Sequence, residues 1–273
     1  MGYVFDFRDA EAYEKWAENE RHTSVIRLQT GLMLDMLRPA RGESVLDIGC
    51  GTGLIMRVLI DKGLRVTGID PSPYMLDVAK KHLGRRACLH RGVAEDLPFD
   101  DNAFNHAVLF TTLEFVNDPL QALEEACRVA KDRLFVGVLN RYALISLQRR
   151  LKGIFTDTIY NRARFFSVWE LTAMLRGLLG NVPIEWKSVC HLPLSAGRLA
   201  QILDASELAR RTPFGAFVGV SAQLVPRFRT RPLELKYAPP KRGEAVAGSL
   251  PAGTLNANNN AKHMRCHRGS PSL

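Results

Sequence analysis

The chain has 273 residues, enough for one large domain, and 46% of them are apolar, enough to bury a core. Its net charge of +9 is mostly a property of the last segment: nine cations and two acids lie from Pro226 onward, leaving 28 cations against 26 acids before it, so the basic pI of 9.5 is weak support for a nucleic-acid partner. Five cysteines with no CxxC pair and no paired histidine point away from zinc and towards reduced thiols, while the lack of a signal peptide, of an apolar run that could span a bilayer and of a myristoylation signal makes a cytoplasmic protein the expectation.

Tyr13 and Trp16 stand three apart on an N-terminal helix, spacing that suits either a packing pair or a cover over a site. Val45 to Ile48 then reads as a buried strand that runs straight into Gly49-Cys50-Gly51-Thr52-Gly53. Three glycines at alternate positions let the backbone turn sharply and bring main-chain N–H groups against a ligand. A dinucleotide fingerprint needs its third glycine three residues after the second, and that position is Leu54 or Met56 here, so the pattern is GxGxG and not GxGxxG. With Asp47 just before the turn, the stretch resembles motif I of the class I S-adenosylmethionine-dependent methyltransferases. The resemblance implies that Asp47, Gly49, Cys50, Gly51 and Gly53 bind that cofactor.

A helix through Leu54, Ile55, Val58 and Leu59 should come next and close at Lys62-Gly63. Arg65 to Asp70 reads as the second strand, with its acid about twenty residues beyond the glycines, where doubly wound folds place a carboxylate on ribose hydroxyls. Pro71-Ser72-Pro73 opens the next helix with Ser72 as N-cap. Met75 on that helix is either core or the apolar rest on which this family often lays the adenine. Ala87 to Arg91 is a short third strand, and Gly92 to Phe99 resembles the family's segment along the adenine edge, which adds Pro71, Ala94 and Glu95 to the cofactor set. Val93 stands where that family commonly has Asp.

Phe104 to Phe110 forms the fourth strand and runs into Thr111 to Pro119, which resembles a common segment of the family with Phe115 in place of its usual His. Thr111 joins the cofactor residues by its position at the strand's end. Asp118 and Pro119 cap a helix whose expected buried face is Leu120, Leu123, Cys127 and Ala130, and Arg133 to Leu139 is the fifth strand. Alternating strands and helices over about a hundred residues indicate a doubly wound, mostly parallel α/β sheet whose ligands sit at the strands' carboxyl ends. A capping box at Ser167 and Glu170, then strands over Ile184 to Cys190 and Ala216 to Leu224, complete the family's seven strands, the last one antiparallel. Residues 1–225 thus form one methyltransferase domain, and 226–273 read as a disordered basic tail.

Two stretches exceed the minimal fold and read as helical caps, residues 141–166 and 191–214. The first carries Arg141, Arg149, Arg150, Lys152, Arg162 and Arg164 against Asp157 alone, either a solvated face or the rim of a mouth for an anionic or lipid-like substrate, with Arg149 and Arg150 at the rim. Tyr13 and Trp16 then suit a lid over the methionine end. A sulfonium methyl group is already activated, so a catalytic residue is optional; if a base is needed, Glu114 and His191 are the candidates. Neither an "NPPY"-like segment nor a Pro-Cys pair is present, which argues against DNA-base methylation and leaves a small-molecule acceptor as the favoured reading. The alternatives are an RNA methyltransferase that tracks phosphates with Arg141 to Arg164, and a catalytically silent cofactor-binding subunit. Peripheral membrane contact fits the same basic stretch, no metal is expected, and oligomeric state is not legible.

Overall fold

The computed structural model describes residues 2–143, 163–192 and 197–226. The chain divides into two units, Met1–Phe228 and Arg229–Leu273, and the first holds the whole sheet with its helices. The tail expected from Pro226 lies, apart from Pro226 itself, outside the described residues, and so do Arg149, Arg150, Lys152 and Arg162 of the basic cap.

Two helices precede the sheet: α1 (Phe7–Glu18) and α2 (Glu20–Leu37). Asp6 starts α1 with a reciprocal capping box to Asp9. The sheet and its helices come next as β1 (Ser44–Ile48), α3 (Leu54–Asp61), β2 (Arg65–Asp70), α4 (Pro73–Leu83), β3 (Cys88–Arg91), β4 (Phe104–Phe110), α5 (Pro119–Val129) and β5 (Ala130–Leu139). Beyond them lie α6 (Val168–Leu179), β6 (Ile184–Val189), the short helices α7 (Arg198–Ala205) and α8 (Glu207–Arg210), and β7 (Phe217–Gln223). The strand order is β3-β2-β1-β4-β5-β7-β6, parallel throughout except that β7 runs antiparallel to both β5 and β6. This is the expected seven-stranded sheet. Order reverses between β1 and β4, the switch point at which open α/β sheets bind ligands.

Both faces of the sheet are covered, which is why the central strands are apolar at almost every position. One layer sets Leu123, Ala126, Leu171 and Leu175 of α5 and α6 against Leu46, Leu109 and Val136. The other sets Leu32, Met33 and Met36 of α2, with Met56 and Leu59 of α3, against Val45, Val108 and Phe135. The caps form as their residues dictate. Ser72 Oγ accepts from the Met75 N–H at 3.2 Å, and Asp118 Oδ1 accepts from the N–H groups of Leu120 and Gln121.

Some expectations fail, each for a tertiary reason. Leu120 is 47% exposed, because α5 turns Pro119, Ala122, Leu123 and Ala126 to the sheet instead. On α7, Leu199 and Ile202 also face outward, and the buried residues are Ala200 and Asp204, so the second cap's helix presents an apolar face to its surroundings that its spacing does not orient. Only half of the capping box at Ser167 forms: its Oγ accepts from the Glu170 N–H, but the Glu170 carboxylate pairs with Arg164 at 2.8 Å and Arg141 at 3.1 Å. Two cations of the basic stretch therefore share one carboxylate. No described helix is long and apolar enough to cross a membrane.

Candidate active site

Glycine conformation makes the cleft. Gly49, Gly51 and Gly53 all adopt positive φ, at 72°, 51° and 78°. At Gly49 a Cβ would run into the Thr112 side chain, while at Gly51 it would meet nothing within 4 Å, so one glycine is required by close packing and the other leaves open space. The turn is held by the Gly49 and Cys50 N–H groups, which both donate to the Ile69 carbonyl. Gly53 is not among the residues that line the described cavities; it serves as the N-cap residue of α3.

Two carboxyl groups stand beside this turn. Asp70 Oδ2 accepts from the Gly51 N–H and Oδ1 from the Ser72 N–H, both at 2.9 Å. Burial pushes the Asp70 pKa up, and those two N–H groups oppose the rise. Asp47 at the end of β1 is 1% exposed, and its Oδ2 has no hydrogen-bond partner among the described residues. Burial, and then the charge of Asp70, raise its pKa to about 7. Burial likewise pushes up the Cys50 thiol, helped by Asp47 and Asp70.

Asp47 makes stability depend on pH. The unfolded chain releases this proton near pH 3.8 and the folded chain holds it to about 7, so between those values the native state binds more protons. The ligand-free protein should lose stability as pH rises through that window. Asp47→Asn should flatten the decline, read from melting temperatures between pH 5 and pH 8; an identical decline in both proteins would contradict the assignment. A cationic ligand beside Asp47 favours the ionised form, so its affinity should rise over the same range.

Three cavities open around the turn, and Phe5 and Thr111 line all of them. The smallest, about 80 Å³, lies along Asp47, Gly49, Gly51, Asp70 and Met75. The second, about 130 Å³, lies between Asp70, Pro71, Ala94, Glu95 and Thr112. The largest, about 350 Å³, is walled by Tyr13 and Trp16 of α1, Ile26 and Gln29 of α2, Ile55 and Phe115. Thr111 takes φ +52°, a left-handed conformation that a β-branched residue adopts only under constraint. Its N–H donates to the Gly137 carbonyl at 2.7 Å and its hydroxyl to the Phe110 carbonyl, which hold it there.

The sequence-derived residues therefore converge, with exceptions. Asp47, Gly49, Cys50, Gly51, Asp70, Pro71, Met75, Ala94, Glu95 and Thr111 line the two smaller cavities. Glu95 is also tied down: its Oε1 accepts from the Asn117 N–H at 2.7 Å. Tyr13 and Trp16 stack with ring centroids 5.5 Å apart and wall the largest cavity. Glu114 lines none of the three; its Oε1 accepts from the Leu139 N–H at 2.7 Å, and burial raises its pKa to about 8, so it is protonated at neutral pH. His191 lies between Ser188 and Asp204, at 3.1 and 2.9 Å. Ser188 of that Ser-His-Asp array is fully buried, and its hydroxyl donates to the Thr212 carbonyl.

Sequence reading missed Phe5, Gln29 and the cover they build. Phe5 is drawn in by the Ser72 hydroxyl, which donates to its carbonyl at 2.7 Å, and by its edge-on contact with Phe115, centroids 5.0 Å apart. The α2 stripe Val25, Leu28, Leu32 and Met36 was a legible helical signal. The isolated Gln29 beside it carried none.

Fold and cleft define a doubly wound protein with a ligand cleft at the carboxyl ends of β1, β2 and β4. Residues 46–134 match the family of the methyltransferase domain. Over 228 residues the chain is 32% identical to an uncharacterized protein of Methanocaldococcus jannaschii, a match that covers 81% of this chain and 99% of that one. It is 39% identical over 98 residues to an uncharacterized methyltransferase of Mycobacterium tuberculosis, spanning 36% of this chain and 40% of that relative's length. A solved SAM-dependent methyltransferase of Thermotoga maritima aligns with a TM-score of 0.58 at 27% identity, over 80% of this chain and 96% of the other. The chain belongs to the class I S-adenosylmethionine-dependent methyltransferases.

The cofactor is S-adenosylmethionine, and the residues fit it. Asp70 presents free lone pairs for ribose hydroxyls, the unpartnered Asp47 Oδ2 suits a cationic group, and the open space at Gly51 admits a ligand against the backbone.

Proposed function

We propose that this protein transfers a methyl group from S-adenosylmethionine to a small molecule with an apolar body. When bound, the cofactor supplies an activated methyl group on a sulfonium. The chain's own part is to position the acceptor and exclude water. The observation that carries the reading is the 350 Å³ cavity, which shares Phe5 and Thr111 with the cofactor cleft and is large enough for a drug-sized ligand. Neither Glu114 nor His191 lines that cavity, so no base is assigned.

Incubating the protein with methyl-labelled cofactor and a cell extract, then separating solvent-extractable molecules from RNA and protein, tests the reading. Label is expected in the extractable fraction. Label in RNA would favour the phosphate-tracking alternative, and no transfer to any fraction would leave a silent binding subunit.

A further inference from the structure

The wall of the large cavity is chemically one-sided. Phe5, Tyr13, Trp16, Phe110 and Phe115 give it aromatic rings, and aliphatic side chains of α2, α3 and β5 complete it. No Asp, Glu, Lys, Arg or His is among its described lining residues. Against these described residues a charged group on an acceptor would lose hydration with no counter-ion to replace it. Phe115 strengthens this: the structure puts an apolar ring between the two larger cavities.

Two polar aliphatic side chains, Gln29 and Thr111, break the pattern. Gln29 is 9% exposed, lines the cavity one helical turn after Val25, and its amide has no hydrogen-bond partner among the described residues. Its amide is not fully buried, so water satisfies it in the free protein, and a ligand that displaces this water is favoured when it replaces the same hydrogen bonds. Thr111 cannot fill the same role, since its hydroxyl proton is committed to the Phe110 carbonyl. Gln29 offers both a donor and an acceptor.

We infer that the acceptor is an uncharged, ring-bearing molecule and that Gln29 selects it through a hydrogen bond to a hydroxyl or carbonyl group. This deepens the assignment of the large cavity to the acceptor and rests on it. A site built around a buried hydrogen-bonding group rejects the analogue that lacks the complementary group, because the protein's own group is then left unpaired. Aromatic walls favour a flat ring for the same reason that aromatic side chains favour one another.

The test uses the full chain saturated with S-adenosylhomocysteine and three probes of one shape: 2-naphthol, naphthalene and 2-naphthoate. At neutral pH these are a neutral hydroxyl compound, an apolar one and an anion. Binding followed by fluorescence should rank 2-naphthol about tenfold tighter than naphthalene, with 2-naphthoate weakest. Gln29→Leu should remove the advantage of 2-naphthol, leaving naphthalene and S-adenosylhomocysteine affinities nearly unchanged. Tightest binding of 2-naphthoate would overturn the claim of an uncharged acceptor. A hydroxyl preference that survives Gln29→Leu would overturn the role of Gln29, and equal affinities of the wild type for 2-naphthol and naphthalene would overturn it even if the variant failed to fold. Failure of S-adenosylhomocysteine to bind would instead strike the underlying methyltransferase reading.

Discussion

Asp70→Ala should weaken S-adenosylmethionine binding by about 2 kcal/mol, roughly a thirtyfold rise in Kd. The carboxylate has two tasks in one cleft. It would present lone pairs to a bound ribose, and it accepts from the Gly51 and Ser72 N–H groups at 2.9 Å, so its loss should remove a ligand contact and loosen the turn together. Stability should change less than affinity, because the same substitution relieves the burial of Asp70 and its repulsion of Asp47. Asp96→Ala is the control: Asp96 lines none of the three cavities. Calorimetry that shows equal affinity for Asp70→Ala and wild type would remove Asp70 from the site.

Gly49→Val should be the most damaging single change in the turn. The residue sits at φ +72°, where a β-branched side chain is strained, and its Cβ would collide with Thr112, whose hydroxyl donates to the Ile48 carbonyl. A loss of about 3 kcal/mol is expected, which lowers the melting temperature by roughly 10 °C in a domain of this size. Gly51→Ala makes the comparison sharp: φ is positive there too, but no atom lies within 4 Å of the new Cβ, so only the backbone cost of about 1 kcal/mol applies. Equal losses at the two positions would mean that close packing against Thr112 contributes nothing.

The cofactor cleft was legible because its determinants are local. A strand, three alternate glycines and an acid at the end of the next strand are each set within a few residues, and the switch point brings them together. The acceptor cavity was less so. It is walled by α1, α2, the loop around Phe5 and the end of β5, segments far apart in sequence, and only Tyr13 and Trp16 announced themselves. Thr111 was placed by its position, but its left-handed backbone is imposed by Gly137 across the sheet and leaves no trace in residue type. Leu120 failed because helical spacing states that a stripe exists but not which way tertiary packing turns it. Glu114 and His191 had the right chemistry at the right strand ends, and the fold hydrogen-bonds Glu114 to the Leu139 N–H and His191 to Asp204, contacts that residue type does not announce.

Titration of the wild-type protein with S-adenosylmethionine and, separately, with NAD tests the central claim most directly. Both ligands carry adenosine, which Asp70 would hold, but only the first has a cationic amino-acid end that would suit the unpartnered Asp47 Oδ2 and the GxGxG turn. Low-micromolar binding of S-adenosylmethionine that tightens from pH 6 to pH 8, with no measurable binding of NAD, is the expected result. Tight NAD binding, or S-adenosylmethionine affinity that does not respond to pH, would contradict it.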